Sequence, residues 1–347
     1  MDDVVTAGPH DSPWRRAPTI KDVAALSGVA TSTVSRALSQ PGRVNWATRE
    51  RVEAAAAELG YVSSSAAREM TVGRTRSVAL LVPDITNGFF LDIIRGTQRQ
   101  LRASGFTQLL VDTEEDNDLE INYLQQLRAS VDGFILAATR LNDDQLAVAA
   151  ATVPIVTINR TSPGVPTVLI DTPRGVQQAV EHLVSLGHRD IAYMAGPPTS
   201  WSDRSRWTAL QESAETLGIS IRRLGPYYPS QRSGAAAADA ALHSGVTACI
   251  AFNDLMAIGM LVRLKERGVD VPGQISVIGC DDIFGADFCS PPLTTLTAPI
   301  EQAGRVATDM LLSRLRPTSA AARTQVELPT HLTIRASTGA APDRGKP

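Results

Sequence analysis

From Ser77 onward the chain alternates short β-branched or apolar runs with amphipathic stretches of helical length. A strand, a crossover helix and a further strand form the βαβ unit, which builds a parallel sheet covered by helices on both faces. About ten strands are too many for one small sheet, so the sequence predicts an α/β fold with two doubly wound parallel-sheet lobes and a cleft between them. The strands are predicted at 78–82, 108–111, 133–137, 154–158, 191–195, 248–252 and 275–279, with helices at 89–103 and near 119–129.

Polar side chains directly follow several predicted strands. Asn159 follows one strand, Asn253 another, and Asp281 a third. Ligands of doubly wound sheets lie beyond the carboxyl ends of the strands. Carboxylates, amides, arginine and aromatic rings suit a polyhydroxylated ligand. Each single residue would also fit a solvated loop, but the set as a whole favours a binding site.

A different pattern precedes the lobes and predicts a helix-turn-helix. Thr19 is a good N-cap for a short first helix, and Gly28 stands where a left-handed residue would end it. A second helix is predicted over 31–39, and Asn45 is expected to cap a third helix over 46–59. Two short helices joined by a tight glycine turn form the unit whose second helix enters the DNA major groove.

The exposed face of that second helix has the chemistry for DNA. Thr31, Ser32 and Arg36 are placed to reach base edges, and arginine can contact guanine with two hydrogen bonds. Thr33 and Ser35 are better placed for phosphates. The alternative is a pair of ordinary surface helices with polar outer faces.

The charge distribution supports a DNA-binding head on a separate body. Residues 14–76 hold ten Lys or Arg against five Asp or Glu, whereas the rest of the chain holds 23 basic against 31 acidic side chains. A small basic module on an acidic body is typical of a phosphate-binding domain attached to one that does not bind DNA.

Taken in order, these blocks resemble the LacI/GalR family of transcriptional regulators, of the lactose-repressor type. The head shows Asp-Val-Ala from Asp22, Gly-Val from Gly28 and Thr-Val-Ser-Arg from Thr33, and the resemblance covers nearly all of residues 19–335. The body shows Phe-Asn-Asp from Phe252 and Pro-Pro-Leu-Thr-Thr from Pro291. The resemblance implies a core like that of type I periplasmic binding proteins.

The resemblance also implies functional residues. Met70, in a hinge helix, would wedge between base steps in the minor groove. Trp201 is a further predicted effector contact, because its ring can stack against the ligand. The sequence departs from the family's pattern at Ala30, where a capping serine is usual, and at Gly88, where proline is usual. These departures do not change the predicted class of protein, but the identity of the ligand does not carry over from the family. The implied effector contacts are Phe89, Asn159, Arg204, Asn253 and Asp281.

The sequence predicts six parts, and the chain crosses more than once between the two lobes. We expect a disordered tail at 1–17, the DNA-binding head at 18–62 and a hinge helix with linker at 63–75. The N-terminal lobe takes 76–171 and 298–326, the C-terminal lobe 172–297 and 327–336, and a second disordered tail 337–347.

Other classes of protein fit less well. Phosphate-loop, nucleophile-elbow and dinucleotide motifs are absent from the sequence, the five histidines lack metal spacing, and the three cysteines form no CxxC pair. An enzyme is therefore not expected, nor a cofactor or metal. A periplasmic sugar-binding protein would fit the body, but the basic head and the lack of a signal peptide favour a cytoplasmic, nucleoid-associated protein.

The expected partners are a pseudo-palindromic double-stranded operator and a second copy of the chain. The residues after 335 lack heptads, so a homodimer is expected rather than a coiled-coil tetramer. The expected effector is a small carbohydrate that relieves repression. A purine effector, and an effector that strengthens repression instead, remain open alternatives.

Overall fold

The computed structural model describes residues 18–39, 41–61, 75–315 and 324–343. It divides into two compact units, Met1–Thr75 and Arg76–Pro347. The tail predicted at 1–17, and Met70 with the rest of the hinge at 63–74, lie outside the described residues. Those expectations stay predictions.

Three helices pack around one small core in the first unit. Val23, Val34 and Val52, one from each helix, are fully buried there. The first two helices form the predicted helix-turn-helix, and the second has the predicted bounds. They are α1 (Ile20–Ser27), α2 (Thr31–Ser39) and α3 (Trp46–Glu58).

The ends of these helices are formed by the predicted residues. The Asp22 carboxylate accepts a hydrogen bond from the Thr19 backbone N–H at 2.6 Å, which places a negative charge in the first turn of α1. Gly28 has φ 69° and ends α1 in the left-handed conformation. Asn45 Oδ1 accepts from the Ala47 N–H at 3.0 Å and caps α3.

The second unit alternates strands and helices as the sequence predicts. The strands are β1 (Ser77–Val82), β2 (Thr107–Asp112), β3 (Gly133–Ala137), β4 (Ile155–Ile158), β5 (Thr167–Ile170), β6 (Asp190–Met194), β7 (Ser220–Leu224), β8 (Ala248–Ala251), β9 (Ser276–Cys280), β10 (Thr294–Thr297), β11 (Gln325–Leu328) and β12 (His331–Thr333). The helices are α4 (Gly88–Ala103), α5 (Asn117–Leu127), α6 (Asp143–Ala150), α7 (Thr172–Ser185), α8 (Trp201–Leu217), α9 (Gly234–Ser244), α10 (Asp254–Glu266) and α11 (Ile300–Arg314).

Within the described part of the chain the strands form two six-stranded sheets, one in each lobe. The N-lobe sheet has the order β11-β5-β4-β3-β1-β2, and its strand pairs are parallel. The C-lobe sheet has the order β12-β10-β9-β8-β6-β7, and β12 pairs with β10 antiparallel. The strand order reverses beside β1 and beside β6, which opens the crevice where such sheets bind ligands.

The chain passes between the lobes after β5, after β10 and after β11. The predicted lobe boundary between residues 326 and 327 is wrong, because it falls inside β11. Val326 pairs with Val168 and Glu327 with Leu169, so all of β11 belongs to the N-lobe sheet. The return to the C-lobe comes after Leu328.

The C-terminal segment is more ordered than the sequence predicts. A disordered tail is expected from residue 337, yet Ser337 is fully buried and its hydroxyl donates to the Val277 carbonyl at 2.6 Å. The Ala341 N–H donates to the Leu186 carbonyl at 2.8 Å. Buried His188 also contacts this segment, through its Nε2 and the Gly339 carbonyl at 3.1 Å. Small residues without a hydrophobic pattern conceal this docking, because backbone and hydroxyl hydrogen bonds carry it.

Two glycines let α4 and α11 pack closely in the N-lobe. A Cβ at Gly96 would overlap the backbone carbonyl of Glu301, and one at Gly304 would lie 2.5 Å from the carbonyl of Ile93. A side chain at either glycine would therefore meet backbone atoms of the other helix, which cannot move aside. This contact sets how closely α11 packs against α4, the helix whose first residues line the cleft.

Candidate functional site

One face of α2 presents the residues that the sequence assigns to DNA. Thr31, Ser32, Ser35 and Arg36 are exposed, and Thr33 is half-buried. The Arg36 Nε donates to the Ser32 carbonyl at 3.2 Å, which lays the guanidinium along the helix surface. The opposite face of α2 belongs to the core of the unit. The exposed face is therefore polar and carries a positive charge.

The start of α2 differs from the usual capped helix. Ala30 takes the N-cap position, since its carbonyl accepts from the N–H groups of Thr33 at 2.8 Å and Val34 at 3.0 Å. Thr31 is therefore the first helical residue. An alanine side chain cannot accept a hydrogen bond, so the first N–H groups of α2 remain for water or a phosphate.

A second candidate site lies between the two lobes at the carboxyl ends of the strands. Four of the predicted effector contacts, Phe89, Asn159, Asn253 and Asp281, meet there. The cavity volume is about 30 Å³, room for only one or two water molecules. Little free space therefore remains between the side chains of the cleft. The full lining is Asn87, Phe89, Phe90, Glu115, Ala138, Arg140, Asn159, Ser200, Ser202, Arg206, Pro229, Phe252, Asn253 and Asp281.

Arg206 is the charged centre of this cleft. Its guanidinium carbon lies 5.1 Å from the centre of the Phe252 ring, and Nη1 donates to the Phe252 carbonyl. Nη2 lies 3.9 Å from Asp281 Oδ1. Its Nε is buried and has no hydrogen-bond partner among the described residues. A ligand in the cleft can therefore supply the missing acceptor.

Asp281 faces Arg206 from the end of β9. Burial raises the pKa of its carboxyl to about 8, and the negative charge of Asp254 adds to this rise, although Arg206 opposes it. The carboxyl is therefore largely protonated near neutral pH and can both donate and accept hydrogen bonds. Its backbone has φ 121°, a conformation that a residue other than glycine rarely adopts and that is frequent at functional sites.

The amides of the cleft are already engaged in holding the backbone. Asn253 Oδ1 accepts from the Met256 N–H at 3.0 Å and caps α10, and its Nδ2 donates to the Pro229 carbonyl at 3.1 Å. Asn159 Oδ1 accepts from the Ile170 N–H at 2.9 Å. Fixed amides of this kind are preorganised, because ligand binding need not order them.

The structure does not bring Trp201 and Arg204 to this cleft. Both line a separate pocket, and the arginine of the cleft is Arg206. The physical reason is the register of α8: each residue turns about 100° around a helix, so residues two apart point to opposite sides. Ser202 and Arg206, four apart, face the cleft together.

A buried aspartate sets that register. The Asp203 carboxylate accepts hydrogen bonds from the Tyr193 hydroxyl at 2.8 Å and the Gly196 N–H at 2.7 Å, and it pairs with Arg223. These contacts turn Asp203 into the C-lobe. The sequence shows no periodic signal for this, because the partners come from β6 and β7.

An ion pair that the sequence does not predict lies in the N-lobe wall of the cleft. Arg140 Nε and Nη2 donate to the Glu115 carboxylate at 2.6 and 2.9 Å, and both side chains are buried. The Arg140 N–H donates to Glu120, whose pKa is raised by burial. Both members of the pair follow strand ends, β2 and β3, which flank β1. That placement is the signal that could have found them.

Thiol chemistry, metal binding and a membrane-spanning role have less support. The thiols of Cys249 and Cys280 are buried, and burial raises the pKa of Cys249 to about 12, so it does not form a reactive thiolate at neutral pH. In the ranges that the structure describes, histidine, cysteine and acidic side chains form no metal-binding group of three. The helices described there are also too short or too polar to cross a membrane.

Known proteins resemble the chain in both units. The model for bacterial regulatory proteins of the lacI family matches residues 19–64, and that for a periplasmic binding protein-like domain matches 180–338. The HTH-type transcriptional regulator DegA of Bacillus subtilis (strain 168) is 32% identical over 330 residues, which cover 92% of this chain and 98% of DegA.

Solved structures agree. The lac repressor dimer bound to operator and the anti-inducer ONPF is 28% identical, with a TM-score of 0.80 over 94% of this chain and 100% of that one. The complex of the transcriptional regulator CelR with cellobiose is 31% identical, with a TM-score of 0.68 over 92% and 99%. Fold, head and relatives define a DNA-binding transcriptional regulator with a ligand-binding core, and not an enzyme. The chain belongs to the LacI family of bacterial regulatory proteins.

Proposed function

We propose that this regulator is a repressor that binds a pseudo-palindromic operator as a homodimer and releases it when a carbohydrate-like effector enters the cleft. The two-fold axis of the dimer would match that of the operator. Since its partner is chromosomal DNA, the proposed place of action is the nucleoid, in the cytoplasm. The proposed base readers are Thr31, Ser32 and Arg36, the phosphate contacts are Thr33 and Ser35, and the minor-groove wedge is Met70.

The observation that carries the effector proposal is the pairing of Arg206 with Asp281 beside phenyl rings. A sugar hydroxyl can accept from the free Arg206 Nε and exchange hydrogen bonds with the part-protonated Asp281. Phe89 and Phe252 offer apolar faces for the C–H side of a sugar ring. The structure of CelR with cellobiose gives a related protein that binds a sugar.

The small volume of the cleft supplies a means of regulation. A cavity of about 30 Å³ does not hold a sugar, so binding requires the lobes to move apart or rearrange. An effector that prefers one arrangement shifts the population toward it, typically by about 1–3 kcal/mol of coupling. That shift is the signal we propose the head receives.

The homodimer is supported by an exposed apolar patch on the C-lobe. Phe284 is 88% exposed and Phe288 63%, and their rings meet edge to face with centroids 5.0 Å apart. Exposed patches of large apolar side chains mark protein interfaces. We propose that a second copy covers this patch, and sedimentation of a Phe284→Asp, Phe288→Asp variant as a monomer would support it, whereas an unchanged dimer would contradict it.

The effector proposal is tested by a thermal-shift screen of the full chain against sugars, nucleosides and purines. A ligand at a hundredfold excess over its Kd stabilises by about 2.7 kcal/mol. We expect a sugar to raise the Tm, Arg206→Ala to abolish the shift, and the matched surface control Arg232→Ala to retain it. A purine or nucleoside hit lost in Arg206→Ala would replace the carbohydrate assignment. A folded protein that no compound stabilises would refute an effector of these classes.

The DNA proposal is tested by selecting binding sequences from random duplexes with the full chain. We expect a two-fold symmetric consensus. Arg36→Ala is expected to lose about 1–3 kcal/mol of discrimination at one base pair per half-site, because it removes a direct base contact. Arg51→Ala, an exposed arginine on α3, is the control and should keep that discrimination. Adding the effector then shows whether it releases or strengthens the complex.

A further inference from the structure

An apolar contact joins the two lobes beside the effector cleft. Ile283 belongs to the C-lobe, in the loop after β9, yet its side chain is 8% exposed and lies in a buried cluster with Phe89 and Phe90. The other buried members of that cluster belong to the N-lobe core. Leu255 and Ile258, from the start of α10, are half-buried against the same core. We call the packing of these three C-lobe side chains against the N-lobe core the lobe joint.

The lobe joint is tight because the first residue of α4 has no side chain. A Cβ at Gly88 would lie 3.1 Å from the Ile283 Cβ and 3.4 Å from its Cγ2. The sequence departs from the family's pattern at this position, where proline is usual. Proline would bring its own Cβ into that space. The glycine therefore lets Ile283 approach the backbone of α4 more closely than the usual residue would.

Hydrogen bonds fix the backbone of Ile283 to the C-lobe. Its N–H donates to Asp254 Oδ2 at 3.0 Å. The preceding residue, Asp282, accepts from the Thr297 hydroxyl at 2.9 Å and from Arg335 Nη2 at 2.7 Å. Ile283 therefore moves with the C-lobe as one body. Any movement of one lobe relative to the other then displaces its side chain within the N-lobe core.

The lobe joint is close along the chain to residues of the effector cleft. Asp281 stands two residues before Ile283. Asn253 stands two residues before Leu255. Phe89 belongs to both regions, because it lines the cleft and lies in the cluster that holds Ile283. A ligand that separates the walls of the cleft therefore also acts on the lobe joint.

We propose that the lobe joint holds the lobes in the arrangement described here, and that Ile283 sets how readily the cleft opens. Parting the lobes exposes the apolar side chains of the joint to water, which costs free energy in proportion to the exposed area. Effector binding has to offset that cost, so a weaker joint makes the regulator respond to less effector. This last consequence rests on the proposed function, whereas the role of the joint in holding the lobes does not.

The test uses the full chain without ligand or DNA, and a thiol in the cleft reports opening. Ser202 lines the cleft and is only 7% exposed, so the thiol introduced by Ser202→Cys is protected from iodoacetamide until the lobes part. Peptide mass spectrometry measures the labelling of each cysteine separately. When the lobes come together again faster than the thiol reacts, the labelling rate is proportional to the equilibrium constant for opening.

We expect Ile283→Ala to raise the labelling rate of the introduced thiol about tenfold or more, because the joint loses buried methyl groups. Gly88→Ala should raise the rate as well, since its Cβ would press on Ile283, and it should add less when Ile283→Ala is present. Ile275→Ala is the matched control, because it removes the same atoms from the C-lobe core alone, and it should leave the rate unchanged. Cys249, which is fully buried, should stay unlabelled in every variant.

Each of three other outcomes overturns the proposal. A rate in Ile283→Ala equal to that of the parent protein would mean that other contacts hold the lobes. An equal rise in Ile275→Ala, or a parallel rise at Cys249, would mean unfolding of the C-lobe and not parting of the lobes. Full additivity of Gly88→Ala and Ile283→Ala would mean that the two positions do not act through one contact. Because the assay contains neither effector nor operator, a failure here is distinct from a failure of the proposed function.

Discussion

Replacing Asp281 with asparagine should stabilise the protein, and increasingly so as the pH rises. Burial raises the pKa of this carboxyl from 3.8 to about 8, with Asp254 adding to the rise and Arg206 opposing it. Asparagine has nearly the same shape and stays neutral at every pH. The substitution therefore removes one titration and little packing.

The direction follows from proton linkage. Because the folded pKa is raised, the folded state holds a proton that the unfolded state has lost at any pH between 3.8 and 8. The stability that this proton confers is complete below pH 3.8 and is lost as the pH rises through 8. Between pH 5 and pH 8 the wild type loses about 3–4 kcal/mol through this group, at 1.36 kcal/mol per pKa unit, as an upper bound. The Asp281→Asn variant does not.

The assay is urea unfolding of wild type and Asp281→Asn at pH 5, 6.5 and 8. We expect the stability gain of the variant to grow with each step, and the slope with urea to stay constant. Titrations elsewhere are shared by both proteins and largely cancel in the difference. A gain that is the same at pH 5 and pH 8 would refute the assignment of a neutral carboxyl at this position.

Three further predictions concern stability. Gly96→Ala should cost about 1–3 kcal/mol in urea unfolding, since its Cβ would overlap the Glu301 carbonyl and force α4 from α11. Asn45→Ala should cost about 1 kcal/mol of head stability, measured as the lowered Tm of the α-helical circular dichroism signal, because α3 loses its cap. Arg140→Met should cost about 3–5 kcal/mol, since it leaves the Glu115 carboxylate buried without its partner, and a pH titration of unfolding should show the new buried acid.

A matched control variant tests the proposed cause of each of these stability losses. Gly42→Ala, where an added Cβ meets nothing within 4 Å, should be nearly neutral. Asn45→Asp keeps an acceptor at the cap and should retain the stability that Asn45→Ala loses. Adding Glu115→Gln to Arg140→Met should recover much of the loss. Equal losses in test and control variants would mean that the named contact is not the cause.

Local and periodic signals predicted most of the fold. The bounds of α2 and of β3 match the predicted ranges, because helix caps and buried strands leave their mark within a few residues. The cleft was predicted in part: Phe89, Asn159, Asn253 and Asp281 meet because the ends of parallel strands converge.

The remaining features depend on contacts between separate elements of the fold. The choice between Arg204 and Arg206 rests on Asp203, whose partners Tyr193 and Arg223 lie on β6 and β7. The pairing of Glu115 with Arg140 needs the strand order β2-β1-β3. Neither partner set leaves a pattern along the chain. The docking of residues 337–341 depends on backbone groups and on the Ser337 hydroxyl, whose partners come from other parts of the C-lobe.

The repeated passage of the chain between the lobes sets an order for synthesis. The head is complete once residue 61 has left the ribosome, because its core uses only α1, α2 and α3. The N-lobe sheet, in contrast, begins at Ser77 but keeps β5 as an open edge until β11 emerges some 155 residues later, at Gln325. The C-lobe closes after it, when β12 pairs with β10. A nascent chain thus carries a complete DNA-binding head well before its two-lobed core is complete. A chain that is cut short before residue 325 has the head without a complete core.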